Sequence, residues 1–307
     1  MSGHALVIGE ALIDIVRRAD GSESEHVGGS PANVALGLGR LGREVELLTW
    51  IALDDHGRTI REHLEDSRVS LVRGSESAIH TPVARAYVDD DGAAQYDFDL
   101  TWAVSPGAAV TRKPVVVHTG SIGAVLPPGA TRVRSLVESM SETATITYDP
   151  NVRPALMGNP VTALQQIEQL VELADIVKVS DEDLEWLDPE SPPNNLARQW
   201  LESGPSIVVV TRGAKGATAF IGDGRKVDAT APQVPVADTV GAGDAFMAGL
   251  IDGLWSQGYM GADNRLMLEA VTTDVITYVL NRSVGIAAVT VSREGADLPT
   301  KKELGEV

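Results

Sequence analysis

The segment that most constrains this chain is Asp238–Gly249, which reads D-T-V-G-A-G-D-A-F-M-A-G. Gly241 and Gly243 are separated by one residue, and such a pair lets the backbone turn sharply and brings its N–H groups close to a ligand. From Asp244 onward the apolar residues recur at the spacing of one helical face. The segment therefore predicts a glycine turn that leads into a helix N-terminus, where free amides and the helix dipole favour anions.

Asp244 stands at the start of this predicted helix, and its carboxylate has two explanations. An Asp in that position often caps the helix, which requires no further function. A cap, however, does not require Gly-Ala-Gly in front of it. A carboxylate beside a bound anion is also the arrangement needed for phosphoryl transfer to a hydroxyl, because the hydroxyl must lose a proton while the anion is held.

The stretch from Asp238 to Asp244 resembles the C-terminal signature D-T-x-G-A-G-D of a known family, the ribokinase-like (PfkB) sugar kinases. The resemblance implies that the amides of Gly241, Ala242 and Gly243 form an anion hole for the transferring phosphoryl group. It also implies that Asp244 takes the proton from the sugar hydroxyl, with ATP as the co-substrate and Mg²⁺ as its metal ion.

Short apolar runs recur along the chain and alternate with segments of helical spacing. The runs are Ala5–Ile8, Glu46–Trp50, Pro114–Val117, Ala144–Thr147, Asp175–Val179 and Ile207–Val210. Because each run is apolar on both faces, the alternation predicts a mostly parallel sheet covered by helices on both sides, with ligands beyond the carboxyl ends of the strands. The resemblance implies a particular α/β fold, a ribokinase-like three-layer α/β/α sandwich with a small β-sheet lid, in one domain over residues 1–307.

The composition limits the partners of the chain. Its 307 residues include 43 acidic and 25 basic side chains, a net charge of −18. Such a surface repels nucleic acid and anionic lipid, although local amides and Mg²⁺ can still hold a nucleotide. The sequence has no cysteine, no secretion-signal pattern and no apolar run of the ~18 residues that a membrane span needs. We therefore expect a cytoplasmic protein with no disulfides, no membrane contact and no nucleic-acid partner.

A second glycine pair, Gly28–Gly29, precedes another segment of helical spacing. Ser30 is predicted as the N-cap of that helix and Pro31 as its first residue. Capping does not explain the two glycines or Asn33, and the stretch resembles the N-terminal G-G-x-x-x-N signature of the same family. The resemblance implies that Gly28 and Gly29 let the backbone approach the sugar and that Asn33 binds the sugar hydroxyls.

Asp14 lies in an extended apolar stretch, so spacing alone leaves two alternatives, an exposed edge-strand position or a side chain that faces a ligand. The family resemblance implies that Asp14 binds the sugar. It also implies that residues 15–27 and 81–102 form the lid. The open edge of that lid predicts a homodimer formed through it.

Within residues 81–102, polar and apolar residues alternate on both sides of an acidic run, which predicts a hairpin. The acidic run, Asp89–Asp91, fits a solvated turn better than a calcium loop, because the spaced ligands of such a loop are missing. Phe98 and Trp102 either face the sugar or pack against the sheet, which is the commoner role of aromatic residues on two strands. Phe98 is the one that we expect to bind the sugar.

The turn Thr211–Gly216 follows an apolar run and reads first as a hairpin turn. No G-x-x-x-x-G-K-[ST] occurs in the chain, which excludes a P-loop kinase. The resemblance implies that Thr211, Gly213 and Gly216 bind the nucleotide, together with Ser180.

Ser180 and Asp183 read as a helix cap and its capping-box partner. The family usually has Asn-x-x-Glu at these positions, so the resemblance implies only a water-mediated contact between Asp183 and Mg²⁺. Arg153 belongs to an Asp-Pro-Asn-x-Arg stretch whose arginine, by resemblance, reaches the phosphate or an acidic substrate. The resemblance also implies that Ser292–Ala296 and the loop at Asp238 hold a monovalent cation such as K⁺.

The substrate follows from the branch of the family that the chain resembles most. Asp149–Arg153, Lys178–Ser180 and Ser292–Ala296 resemble fructokinases, so a primary hydroxyl of fructose is the expected acceptor. The alternatives are 2-keto-3-deoxygluconate, which requires a cation in the sugar pocket, or another sugar of the family. A catalytically inactive sugar-binding regulatory protein is the alternative of a different class. The altered pair Ser180 and Asp183 favours it, whereas the intact Gly-Ala-Gly-Asp opposes it.

Overall fold

The structure is a computed structural model that describes residues 3–88, 94–222 and 224–305. Its strands are β1 (His4–Ile8), β2 (Leu12–Arg18), β3 (Glu23–Gly28), β4 (Glu44–Leu48), β5 (Val69–Leu71), β6 (Val83–Val88), β7 (Ala94–Asp99), β8 (Val116–Gly120), β9 (Thr145–Asp149), β10 (Ile176–Ser180), β11 (Ile207–Thr211), β12 (Ala217–Ile221) and β13 (Arg225–Ala229).

The α-helices of the described residues are α1 (Ser30–Arg40), α2 (Asp55–Asp66), α3 (Ser121–Val125), α4 (Gly129–Met140), α5 (Pro154–Met157), α6 (Pro160–Val171), α7 (Asp181–Leu187), α8 (Pro193–Ser203), α9 (Ala242–Ser256), α10 (Arg265–Glu269) and α11 (Thr273–Val291). Short 3₁₀ turns cover Gly213–Lys215 and Ala262–Asn264.

The main sheet has nine strands in the order β13-β12-β11-β10-β9-β8-β1-β4-β5. Neighbouring strands from β11 to β5 are parallel, while β12 and β13 extend one edge in antiparallel pairs. Every apolar run predicted as a strand contributes to this sheet, which confirms the mostly parallel α/β class. Most boundaries differ from the predicted runs by one to three residues, and two of them are instructive. The run expected to reach Trp50 ends at Leu48, and the run expected from Pro114 begins at Val116, since proline cannot donate to a central strand.

Helices cover both faces of the main sheet, and each face has its own apolar core. One core joins the sheet to α1, α9 and α11, and it includes Val7 of β1. The other joins the sheet to α4, α6 and α8, and it includes Leu6 and Ile8 of the same strand. Because successive residues of a strand point to opposite faces, β1 is apolar from Ala5 to Ile8. The result is the predicted three-layer α/β/α sandwich.

Helix α11 differs from the expectation that no segment of the chain is long and apolar enough for a membrane span. By length and composition alone, this helix of 19 residues is apolar enough to cross a membrane. In the structure it packs along α9 and buries Ile276, Val279 and Leu280. Packing inside the sandwich therefore accounts for its apolar character.

The second sheet has four strands in the order β3-β2-β6-β7. They come from the segments predicted as the lid, although β2 begins at Leu12 rather than at residue 15. The predicted hairpin is the antiparallel pair β6–β7, and its acidic run, Asp89–Asp91, lies outside the described residues.

A row of register partners crosses this second sheet. His26, Asp14, Ala84 and Phe98 lie side by side on β3, β2, β6 and β7. Since register partners share a face of a sheet, the structure brings Asp14 and Phe98 to the same side.

Candidate active site

Asp244 is the point at which three segments of the chain meet. It is the third residue of α9 and is 6% exposed. Its Oδ1 accepts a hydrogen bond from Ser30 Oγ at 2.6 Å, and its Oδ2 accepts one from Asn33 Nδ2 at 2.8 Å. Asn151 Nδ2, on the loop after β9, is 3.4 Å from Oδ1. The carboxylate is therefore held in one orientation by donors from α1 and from the β9 loop.

The N-cap prediction for Ser30 is wrong. Helix α1 begins at Ser30, its N-cap is Gly29, and Pro31 is the second helical residue rather than the first. The Ser30 hydroxyl is directed at Asp244, because α1 and α9 pack side by side at their N-terminal ends. Asn33 also donates to Asp244, and its contact with sugar hydroxyls remains a prediction.

The glycine turn before Asp244 leaves amides that a ligand can reach. Gly241 is the N-cap of α9 and is left-handed, with φ 76°. The first amides of a helix have no acceptor within it. The Ala242 N–H points to the Thr239 carbonyl at 3.3 Å, whereas no acceptor in the described part of the chain pairs with the amides of Gly241 or Gly243. Two of the three amides predicted for the anion hole are thus free of protein acceptors. The role of all three remains a prediction.

A buried ion pair lies beneath this turn. Lys178 Nζ is 2.8 Å from Asp149 Oδ2, and the two side chains are 3% and 0% exposed. Burial acts to lower the pKa of Lys178, but the Asp149 carboxylate outweighs it and the pKa is raised. Burial raises the pKa of Asp149 to about 6 against the opposing effect of Lys178, so both groups are charged at neutral pH. The pair was not predicted as part of the site, and its signal in the sequence was a lysine inside the apolar run Ile176–Val179.

Arg153 is exposed and is held by its own loop. Its Nη1 donates to Asn151 Oδ1 at 2.7 Å and to the carbonyls of Asn151 and Val152, each at 3.1 Å. Its positive charge acts to lower the pKa of Glu10 and of Asp14. The guanidinium therefore influences carboxylates on the predicted sugar side, and its contact with phosphate remains a prediction.

The glycine pair before α1 makes room for groups of the protein itself. A Cβ on Gly28 would overlap Asp14 Oδ2, and a Cβ on Gly29 would lie 2.5 Å from the Glu10 carbonyl oxygen. Gly29 also has φ 104°, which favours glycine. These contacts explain both glycines without a ligand, so the predicted approach of their backbone to a sugar stays untested.

Glu10 was not among the residues expected in the site. It follows the carboxyl end of β1, is 4% exposed, and accepts the Gly123 N–H at 2.9 Å through Oε2. Burial raises the pKa of Glu10 to about 7 and that of Asp14 to about 6, while the charge of Arg153 opposes both shifts. The signal in the sequence was its position directly after a buried strand, where ligands bind in parallel sheets.

The aromatic residues Phe98 and Trp102 have different surroundings. Phe98 is half-buried on the face that it shares with Asp14. Trp102 packs in the core on the α4 side of the sheet, where its Nε1 donates to the Gly123 carbonyl at 2.8 Å. For Trp102 the packing alternative therefore holds, although it packs beyond the lid sheet, because β7 ends at Asp99.

The capping box expected at Ser180 and Asp183 is confirmed. Ser180 Oγ accepts the Asp183 N–H at 3.0 Å, and Asp183 Oδ2 accepts the Ser180 N–H at 3.2 Å. The other oxygen of Asp183 accepts the Val152 N–H at 3.0 Å. Over the described ranges, no group of three or more His, Asp or Glu residues is arranged to hold a metal. The two oxygens of Asp183 fit a Mg²⁺ ion that is held by phosphates and water and that contacts Asp183 only through water.

The predicted nucleotide-binding residues lie at the ends of neighbouring strands. Ser180 and Thr211 are register partners on β10 and β11. Gly213 and Gly216 follow with φ 50° and 92°. A Cβ on Gly216 would overlap the Ala229 carbonyl oxygen, whereas nothing lies within 4 Å of a Cβ on Gly213. Packing therefore explains Gly216, and Gly213 faces space that a ligand can enter.

Asp238 joins the two segments predicted to hold a monovalent cation. Its Oδ2 accepts the Gly295 N–H at 3.0 Å, and its Oδ1 accepts the Val240 N–H at 3.0 Å. The structure thus brings the loop at Asp238 and the segment after α11 together.

Comparison with known sequences agrees with this site. The sequence model of the pfkB family of carbohydrate kinases matches residues 3–303. A fructokinase of Rhizobium leguminosarum bv. trifolii is 34% identical over 261 residues, which cover 81% of this chain and 79% of that protein.

Comparison with solved structures gives the same fold. An uncharacterized sugar kinase of Pyrococcus horikoshii, solved in complex with ATP, is 26% identical and superposes with a TM-score of 0.78 over 97% of this chain and 96% of that one. A double-mutant fructokinase of Vibrio cholerae O395, solved with fructose, ADP and potassium ion, is 24% identical and has a TM-score of 0.80 over 99% of both chains. At that identity the likeness is one of fold alone.

Proposed function

The chain belongs to the pfkB family of carbohydrate kinases, and we propose that it transfers the γ-phosphoryl group of ATP to a primary hydroxyl of a small neutral sugar, with fructose as the first candidate. One observation carries the proposal. Asp244 is a buried carboxylate, fixed by Ser30 and Asn33, directly after a turn whose amides at Gly241 and Gly243 lack acceptors among the described residues.

In the proposed reaction Asp244 acts as the base. Each of its oxygens accepts one short hydrogen bond from the protein, which leaves lone pairs for a sugar hydroxyl. As the hydroxyl oxygen bonds to the γ-phosphorus, its proton passes to Asp244 and the bond from the γ-phosphorus to ADP breaks. The amides of Gly241, Ala242 and Gly243 stabilise the charge on the phosphoryl oxygens. Ala242 gives up its long contact with Thr239 to do so.

The metal ion belongs with the nucleotide. Mg²⁺, when bound, neutralises charge on the β- and γ-phosphates. We assign Asp183 a water-mediated contact with it, since both oxygens of Asp183 already accept backbone N–H groups. Ser180, Thr211, Gly213 and Gly216 are our candidates for holding the nucleotide.

The charges on the sugar side favour a neutral acceptor. Asp14 and Glu10 contribute two carboxyl groups there, and Arg153 contributes one cation. An acidic sugar would have to leave water for a pocket without excess positive charge, which is costly. The fructokinase named above supports the same choice. Arg153 is the observation that favours the second candidate, 2-keto-3-deoxygluconate, because its guanidinium could pair with a sugar carboxylate.

Further proposals concern the second sheet and the surroundings of the site. We propose that the sheet closes over the sugar through Asp14 and Phe98 and excludes water during transfer. Its open edges β3 and β7 suit a homodimer. Asp238 and the segment after α11 are our candidate site for a cation such as K⁺, which the Vibrio cholerae fructokinase structure contains. We also propose that the protein is cytoplasmic.

A coupled assay of ADP release tests the function. The panel consists of fructose, ribose, glucose, 2-keto-3-deoxygluconate and adenosine with MgATP, and Asp244→Ala is the control. Turnover on fructose that is lost in the variant is the expected result. Turnover on another acceptor would retain the mechanism and replace the sugar. Sugar binding without ADP release on any acceptor would contradict a kinase and support a regulatory protein.

A further inference from the structure

We propose that Lys178 is a positioning residue of the phosphoryl-transfer site, and that its ammonium group, held by Asp149, fixes the Gly241–Gly243 turn and places a buried positive charge beneath it. The inference rests on the proposed function, since it concerns the turn that is assigned to the transferring phosphoryl group.

The position of the ammonium is defined by two contacts. Lys178 lies on β10 and Asp149 at the end of β9, and Nζ is 2.8 Å from Oδ2. A Cβ added to Gly243 would lie 3.0 Å from Nζ. The ammonium therefore sits directly against the backbone of the turn, and Gly243 leaves the space that it occupies.

Stability alone does not explain a charged pair in this place. Removing two charges from water is costly, and apolar residues of similar volume are often at least as stabilising. The pair is nonetheless ionised, because Asp149, with Asp183 and Asp244 at longer range, outweighs the effect of burial on the pKa of Lys178. A buried cation beside a predicted anion site points to a role for its charge.

The pair also connects the turn to the base. Asp149 Oδ1 accepts the Asn151 N–H at 3.2 Å, and Asn151 Nδ2 is 3.4 Å from Asp244 Oδ1. Asn151 adopts φ 38°, an uncommon conformation for a residue other than glycine. The Lys178–Asp149 pair thus supports the turn on one side and the loop that reaches Asp244 on the other.

The charge of Lys178 acts through the turn and without contact with the reacting atoms. Charge spreads over the phosphoryl oxygens during transfer, and fixed positive groups in a water-poor site stabilise such charge without reorganising. Three carboxylates, Asp149, Asp183 and Asp244, act on the ammonium, and each favours its charged form. Lys178 therefore offsets negative charge that would otherwise oppose a phosphoryl group at this turn.

The first experiment separates charge from packing. The double variant Lys178→Met/Asp149→Asn removes both charges and leaves neither unpaired. We expect its kcat to fall ~10²-fold, with KM for ATP and fructose unchanged and the thermal midpoint near that of the parent. The matched double variant of a surface pair, Lys226→Met/Asp228→Asn, should have the kcat, KM and thermal midpoint of the parent. A kcat equal to that of the parent would overturn the proposal.

If the double variant does not fold, Lys178→Gln decides, because the amide still donates to Asp149 but carries no charge. A kcat reduced ~10-fold or more at unchanged KM supports the role of the charge, and an unchanged kcat overturns it.

A binding measurement tests Lys178 without a sugar turnover. Aluminium fluoride with MgADP mimics the transferring phosphoryl group, and we expect it to tighten ADP binding in the parent but not in the double variant. ADP affinity without fluoride should be equal in both. Equal fluoride effects would overturn the inference even in an active kinase. A fluoride effect that is lost in the double variant, in a parent that is inactive on every sugar tested, would refute the proposed sugar acceptor and leave the role of Lys178 at the phosphoryl site standing.

Discussion

The chain contains two glycine turns that lead into helices, Gly28–Gly29 before α1 and Gly241–Gly243 before α9, and they use glycine for different physical reasons. In the first turn, the space that side chains would take is filled by Asp14 and the Glu10 backbone. In the second, Gly243 makes room for the Lys178 ammonium, while its own N–H lacks a protein acceptor.

The difference shows that one sequence signal can serve either packing or ligand binding. The first turn aligns protein groups, because Ser30 and Asn33 behind it hold Asp244. The second turn offers its backbone to a ligand. Four predictions test this difference, from the largest expected effect to the smallest.

Asp244→Ala should lower kcat by ~10²–10⁴-fold, since the carboxylate that accepts the proton is removed. ADP release measures the effect, and calorimetry should show that ATP still binds. The control is Asp263→Asn, a change at an exposed residue of the 3₁₀ turn Ala262–Asn264. Turnover close to that of the parent would show that Asp244 is not the base.

Glu10→Gln should stabilise the protein at pH 8 but not at pH 4. Burial raises the pKa of Glu10 from 4.5 to about 7, so the folded state binds the proton more tightly than the unfolded state. The stability due to this proton is complete below pH 4.5 and is lost as the pH rises to about 7. The gain of the variant at pH 8 is on the order of 3 kcal/mol. Urea unfolding at pH 8 and at pH 4 measures this gain. Equal unfolding curves for parent and variant at pH 8 would refute the raised pKa of Glu10.

Gly29→Ala should destabilise the fold more than Gly213→Ala. Both glycines have positive φ, but a Cβ on Gly29 meets the Glu10 carbonyl, whereas one on Gly213 meets open space. We expect about 2 kcal/mol for Gly29→Ala and about 1 kcal/mol for Gly213→Ala in the free energy of unfolding. The reverse order would mean that the first turn can relax and that its packing role is overstated.

Ser30→Ala should reduce kcat about 10-fold, because one hydrogen bond to a charged carboxylate is lost. The fold should be unaffected, since Ser30 is not the N-cap of α1. Thermal unfolding checks the second expectation, with the exposed Ser139→Ala as control. A large loss of stability with unchanged kcat would restore the structural explanation of Ser30.

The features that sequence reasoning predicted are those with local causes. The parallel sheet followed from runs that are apolar on both faces, and the capping box at Ser180 followed from residue types three positions apart. The boundaries of β4 and β8 shifted by a few residues. The sequence left two alternatives for Trp102 because its burial depends on Gly123 and Gly129, which no periodicity of its own segment indicates.

The features that it missed depend on contacts between distant segments. Ser30 and Asp244 are separated by 214 positions, so a capping rule that considers neighbouring residues cannot detect their hydrogen bond. Lys178 and Asp149 come from different strands, and each alone has an ordinary local explanation. Glu10 follows a buried strand, but its burial depends on α3.

The position of α9 and α11 at the end of the chain has a consequence for synthesis. The strands of the described residues are complete by Ala229, yet one face of the main sheet is covered largely by helices that begin at Ala242 and end at Val291. At ~5–20 residues per second, a ribosome needs several seconds to add them. A nascent chain in that interval exposes an apolar face, and we expect proteases and chaperones to bind it there. Limited proteolysis of stalled chains tests this, since protection of β1 and α1 should appear only after α11 has emerged.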